Sequence, residues 1–183
     1  MWQIVSFEVI TLILLTISRA SLLRPRSHGF YRFFAWEAIL ALIILNGPVW
    51  LDDWLSWHQI ISWILLIACI LPLVLGVNAL RARGAPDPNK RTEPQLMAFE
   101  KTTMLVTSGV YRYIRHPLYS SLLLLDWGVF FKNPSPPGFV LALVASVFLI
   151  ATAKTDEMEC IQTFGVDYQS YMRHTRMFIP YVF

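Results

Sequence analysis

The 183 residues are 56% hydrophobic and 15% charged, with a net charge of +3. A soluble domain averages about 25% charged residues, so this composition excludes an ordinary soluble enzyme and points to lipid. The small net charge gives no footing for a nucleic-acid partner. Two separated cysteines (Cys69, Cys160) and four scattered histidines (His28, His58, His116, His174) exclude a disulfide framework and a zinc cluster, so no metal is expected.

A membrane span needs about 20 mostly apolar residues. Residues 2–18 form the first candidate, interrupted only by Glu8, and residues 33–50 the second, interrupted only by Glu37. Residues 59–80 carry no charge and form the clearest span. Residues 117–131, with Asp126, form a short fourth, and residues 136–153, uncharged, a fifth. The expectation is an all-α integral membrane protein of five transmembrane helices with a cytoplasmic C-terminal helical tail. It reads as one membrane domain: three spans over 1–80, a cytoplasmic loop over 81–116, a two-span hairpin over 117–153, and a tail over 154–183.

Charge placement gives the direction. Fourteen basic residues fall in 19–32, 81–116 and 154–176, and the remaining one, Lys132, falls on the opposite side with Asp52 and Asp53. Basic loops stay in the cytoplasm, so the N-terminus is expected outside and the C-terminus inside. Trp50, Trp54 and Trp57 mark the outer boundary, where an apolar ring with a polar N–H is at home.

Prolines at 86 and 88 keep the start of the 81–116 loop out of regular helix. Its aromatic and aliphatic end predicts order. Pro117 suits the first turn of a helix, where its missing N–H costs nothing. Arg112, Arg115 and His116 therefore precede a helix N-terminus, which offers free N–H donors and partial positive charge. That combination suits an anion; it equally suits ordinary positive membrane anchors.

Lys154 to Glu159 continue the last span into the cytoplasm. Gly165 predicts the end of that helix, and Asp167 predicts the cap of a short helix that carries Tyr168 and Tyr171 on one face. Met177 to Phe183 predict an apolar end docked on the bundle or at the interface. Taken alone, Asp156, Glu157 and Glu159 read as a solvated helix start.

The two polar concentrations fit one pattern. Leu105, Val106, Thr107, Ser108, Gly109, Val110 and Tyr111, then Arg115, His116, Pro117, Leu118 and Tyr119, resemble the first cofactor motif of the isoprenylcysteine carboxyl methyltransferase family. Asp156 and Glu157, then Phe164, Gly165, Tyr168, Tyr171, Ile179 and Pro180, resemble the second. The resemblance covers residues 105–180 and implies that S-adenosylmethionine binds at the cytoplasmic end of the last two spans, under the tail. Carried over by position, the cofactor contacts are Leu105, Val106, Tyr111, His116, Pro117, Leu118 and Tyr119, with an acid at Asp156 or Glu157. His116, Arg112 or Arg115 suits the cofactor carboxylate, and Asp156 or Glu157 its ammonium. Tyr111 and Tyr119 suit the adenine or, through cation–π attraction, the sulfonium.

The implied activity is methyl transfer to a lipid-like or membrane-associated acceptor: a prenylcysteine carboxylate, a lipid amine or a thiol. An amine needs a base, and Glu157 or Asp156 is the candidate catalytic group. One departure stands out. Family members that methylate a prenylcysteine carboxylate carry an arginine one turn before the acidic pair, and Thr152 stands there instead. Two rivals belong to other classes: a membrane reductase using a nicotinamide cofactor, since sterol-reductase relatives share an Arg-His-Pro-x-Tyr element, and a non-enzymatic scaffold. Glu8, Glu37 and Asp126 are acids within spans, which by default suggest function; local pairing accounts for them equally, and Asp126 is a candidate for an acceptor cavity. Oligomeric state is not legible.

Overall fold

A computed structural model describes residues 2–93 and 96–182. Among the described residues seven helices follow in order: α1 (Trp2–Leu22), α2 (His28–Asn46), α3 (Trp57–Ala68), α4 (Ile70–Arg83), α5 (Pro117–Phe130), α6 (Pro136–Phe164) and α7 (Val166–His174). Short 3-10 turns cover Gly47–Val49 and Gly109–Arg112. Among the described residues there is no strand, only the isolated bridges Pro86 with Thr102 and Ile114 with Arg176.

Four stretches are long and apolar enough to cross a bilayer: Trp2–Leu22, His28–Val49, Trp57–Arg83 and Pro136–Phe164. The fourth of the five expected spans is α5, and its 14 residues reach only about 21 Å at 1.5 Å per residue, against a hydrocarbon core of about 30 Å. Prolines bound it. Pro117 opens the helix, and the ring of Pro134 would meet the carbonyl of Phe130 if the helix continued. The same clash explains why the uncharged third span is two helices. Pro72 opposes the carbonyl of Ala68, where α3 stops. The last span, by contrast, runs unbroken through 29 residues. It carries Asp156 to Glu159 about 30–35 Å along from its start. Gly165 ends it with φ +60° and also occupies the cap position of α7, so Asp167 lies in the first turn of that helix and does not cap it.

The core is a close pairing of α2 and α6. Ala35, Ala38 and Ile39 of α2 cluster with Ala145, Leu149 and Ala153 of α6, all buried. Small side chains at helical spacing let two backbones approach, as membrane helices require. α1 packs on α2, and α5 packs on α6 and on α3–α4, so the order across the bundle is α1, α2, α6, α5, α3–α4. The two outer elements expose Ile4, Leu12 and Ile17, and Ile64, Ile67 and Leu71, as helices facing lipid do. Gly128 permits the α5–α3 contact, because a Cβ there would come within 2.9 Å of Leu66 Cδ2.

Polar side chains fasten the end away from the basic loops. Lys132 is 1% exposed; its Nζ donates to Gln59 Oε1 at 3.0 Å and lies 3.3 Å from the centre of the Trp63 ring and 5.1 Å from that of Trp50. Asn46 Nδ2 donates to the Val129 carbonyl at 2.8 Å. The acids within spans are tied locally. Glu37 accepts from Thr11 Oγ1 at 2.8 Å, joining α1 to α2. Asp126 accepts from Ser146 Oγ at 3.3 Å, joining α5 to α6. Glu8 is exposed.

Candidate functional site

The two sequence motifs lie some forty positions apart, and the fold brings them to one place. α5 begins immediately after His116, and α6 returns antiparallel beside it and brings Asp156 and Glu157 back to the same end. The His116 ring sits between the two acids: Nδ1 is 3.5 Å from Asp156 Oδ2 and Nε2 is 3.3 Å from Glu157 Oε1. A neutral imidazole has one N–H, so only the protonated ring can donate to both. Burial works against that charge, and the bonds to Asp156 and Glu157 outweigh it, raising the pKa above the usual 6.5.

The tail is strapped to the segment before α5. Arg115 N–H donates to Arg176 O at 2.8 Å, His116 N–H to Met177 O at 3.1 Å, and Arg176 N–H to Tyr113 O at 3.1 Å. Ser120 Oγ donates to Phe178 O at 2.9 Å, and Phe178 is buried in the main apolar cluster. The expected docking of the apolar end holds for Met177 and Phe178; Ile179, Tyr181 and Val182 are exposed. Phe183 lies outside the described residues. These bonds take the donor of His116, and Pro117 has none, so the start of α5 offers fewer free N–H groups than its sequence suggests.

A cavity lies beside the His116 ring, walled on the tail side by Tyr168 and Tyr171 of α7, with about 800 Å³ of empty space, part of it open to solvent. Leu105, Val106, Tyr111, Arg115, His116, Pro117, Leu118, Tyr119 and Asp156 all line it. Two expected site residues do not. Arg112 is exposed and borders a shallow groove with Asp167 and His174 instead. Glu157 lies behind the wall, where its Oε1 accepts from Arg115 Nε at 2.6 Å. Arg115 is itself committed to structure, since its Nη1 donates to the carbonyls of Thr175 at 2.5 Å and Met172 at 3.3 Å. Thr152 is buried and its hydroxyl closes on the Phe148 carbonyl at 2.7 Å, so no cation takes the place of the family arginine there. Asp126 is not part of the lining. Among the described residues no group of three His, Cys, Asp or Glu side chains is placed to hold a metal.

Residues 89–165, less than half of the chain, match the phospholipid methyltransferase family. Protein-S-isoprenylcysteine O-methyltransferase A of Arabidopsis thaliana is 27% identical over 169 residues, which cover 92% of this chain and 84% of that protein. The chain is similar to an isoprenylcysteine methyltransferase. Methanethiol S-methyltransferase of Pseudomonas deceptionensis is 24% identical over 129 residues, 69% of this chain and 43% of that protein. The enzyme of that name from Crocosphaera subtropica is 28% identical over 76 residues, 42% of this chain and 29% of that protein. The chain thus spans less than half the length of the methanethiol S-methyltransferases it matches. No solved structure matches. The similarity and the apolar helices together describe a multi-pass membrane protein.

Sequence reasoning missed several wall residues of this methyltransferase-like chain. His28 and Glu159 line the cavity and bond to each other; Arg91, Glu100 and Cys160 line it as well, outside either motif. Arg32, one turn after His28, is buried and donates from Nη1 to Glu100 Oε1 and Oε2 at 2.9 and 3.1 Å. Arg91 is held by Glu93 at 2.8 Å and by the Thr102 carbonyl at 2.9 Å, with its guanidinium 5.9 Å from the Phe164 ring. In sequence these residues look like basic anchors and loop acids; nothing local announces that they face a common space.

Proposed function

We propose that this chain is an S-adenosylmethionine-dependent methyltransferase acting on a lipid-like or membrane-associated acceptor. One observation carries the reading: the His116 ring, from the first motif, lies within 3.5 Å of the two acids of the second, at the wall of a cavity that Tyr168 and Tyr171 of the tail also line. The chain is read as one membrane domain that crosses the bilayer five times, α5 being a short fourth crossing packed between α6 and α3–α4. The loop and the tail then lie in the cytoplasm and the N-terminus outside, as the basic residues direct.

The wall chemistry suits the cofactor. Tyr111, Tyr119, Phe164 and Tyr168 offer ring faces for an adenine and for a cation. Asp156, partly open to the cavity, offers a carboxylate for the ammonium, and Arg91 offers a cation for the carboxylate. Bound there, the cofactor supplies an electrophilic methyl group on a sulfonium. The protein's part is alignment and exclusion of water. The strap of residues 175–178 pins the tail to the start of α5, and the Arg115–Glu157 pair fixes that strap to α6. His116 holds Asp156 ionised and pointed inward.

The test is binding of labelled S-adenosylmethionine to purified protein, with reduced nicotinamide dinucleotide titrated in parallel. The expected result is binding of the first and not of the second, with His116→Ala weakening it about tenfold or more, the effect of losing a charged hydrogen bond worth about 1.5–3 kcal/mol. Unchanged affinity in that variant removes His116 from the site. Nicotinamide binding alone replaces the reading with a reductase.

A further inference from the structure

The first three spans contain no part of either motif, yet α2 places a histidine in the cavity wall. His28 is 1% exposed. Its main-chain N–H donates to Glu159 Oε1 at 2.9 Å, and its Nδ1 lies 2.7 Å from Glu159 Oε2. A carboxylate only accepts, so Nδ1 carries the hydrogen and Nε2 is the basic nitrogen. Nε2 has no hydrogen-bond partner among the described residues. The contrast with His116 is informative. Both nitrogens of His116 face carboxylates and it has none with which to take a proton. His28 has one nitrogen oriented by an acid and one left for a ligand, which is the arrangement of a general base.

We propose that His28, oriented by Glu159, takes the proton from a thiol acceptor bound in this cavity. This rests on the methyltransferase reading and names the class of its substrate. A carboxylate acceptor is already ionised and needs no base, and it would want a free cation. Thr152 offers none, and Arg32 is engaged by Glu100. An alkylammonium titrates near 10.4 and a cysteine-type thiol near 8.5, against about 6.5 for an ordinary imidazole. The gap to an imidazole is about two units for that thiol and about four for the amine, so a histidine removes the proton far more readily from the first. The charges around His28 are Glu159 and Asp156 of α6 and Arg32 of its own helix.

The step balances as follows. The S–H bond breaks, its proton passing to His28 Nε2 and its electron pair staying on the acceptor sulfur. That pair forms the bond to the methyl carbon supplied by the cofactor as the carbon–sulfonium bond breaks, its electrons remaining on the cofactor sulfur. His28 then releases the proton to water. The products are a methyl thioether, the demethylated cofactor and one proton.

The experiment uses the full chain in detergent, with N-octanoylcysteine amide, a cysteine-type thiol on an alkyl tail, as the probe, and the variants His28→Ala and Glu159→Gln. Labelled S-adenosylmethionine binding is measured first. Next comes the ultraviolet thiolate band of the bound probe without cofactor, and then methyl transfer across pH. Wild type is expected to show the thiolate band at neutral pH. His28→Ala is expected to bind cofactor normally, lose the band and transfer methyl about 100-fold more slowly at neutral pH, recovering as the solution itself ionises the thiol. Glu159→Gln is expected to keep the fold, weaken the band and slow transfer about tenfold.

A His28→Ala protein with the wild-type band and pH profile overturns the proposal. So does a rate loss equal at every pH, the mark of a structural role. Wild type that binds cofactor but shows no thiolate band also overturns it. Methylation of phosphatidylethanolamine vesicles or farnesylcysteine with the thiol probe untouched rejects the thiol. Wild type that does not bind the cofactor at all sinks the methyltransferase reading itself, a failure visible before any thiol is added.

Discussion

Tyr171 donates its phenol hydrogen to the main-chain oxygen of Tyr111 at 2.6 Å, and both residues are buried. One side chain of α7 therefore fixes the 3-10 turn that carries the first motif. Burial pushes both phenols well above their ordinary pKa, so the donor keeps its hydrogen across the working range. Tyr171→Phe leaves the ring and removes the bond. The expected cost is about 1 kcal/mol of stability, with the Tyr111 carbonyl left unpaired. Cofactor affinity is expected to fall severalfold. Thermal unfolding and labelled-cofactor binding on the same preparation check both.

Arg115→Ala is expected to be far more damaging than its placement at a cavity wall suggests. Its partner Glu157 is 9% exposed at the side chain and would be left as a buried charge. Breaking such a pair from one side typically costs about 3–5 kcal/mol. The variant also loses the bond to the Thr175 carbonyl that holds the strap. Thermal melting measures the loss, and added cofactor is expected to restore little of it.

The His116 cluster predicts a pH dependence with a defined sign. The folded pKa lies above the ordinary value of 6.5 because bonds to Asp156 and Glu157 outweigh burial. The stabilisation is then complete below about pH 6.5 and is lost as pH rises through the raised folded value. Melting temperature measured across this window is expected to decline with pH in the wild type. His116→Gln keeps a hydrogen-bonding side chain without a titration and is expected to flatten the decline.

Lys132→Met is expected to destabilise without touching the cavity. Lys132 and the cavity lie past opposite ends of α5, about 20 Å apart along its axis. The substitution keeps the stem between Trp50 and Trp63 but leaves Gln59 Oε1 unpaired, at a cost of about 1–3 kcal/mol. Melting temperature should fall while cofactor affinity holds. A loss of affinity equal to that of His116→Ala would contradict this separation.

The helices were legible because lipid demands long apolar runs, and the lining residues between Leu105 and Tyr119, with Asp156, were legible only through the family resemblance, which carries them by position. The break at Cys69 was legible too, in Pro72, but an uncharged run of 22 residues masks it. Arg112 and Arg115 look alike in sequence, yet one is exposed and the other clamps two elements, because a 3-10 turn separates their directions. His28 and Glu159 are 131 positions apart, and no periodicity links residues whose meeting depends on α2 packing against α6. Glu157, expected in the cofactor's reach, turns out to anchor Arg115. A single helical step from Asp156 rotates it away from the cavity.

The strap formed by residues 175–178 has a bearing on biosynthesis. Helices α1–α6 all precede it, so the helices that frame the cavity are made before the segment that pins the tail. A chain arrested before residue 175 carries every one of them and still lacks the main-chain bonds that tie the tail to the start of α5. The frame is laid down first and its fastening second.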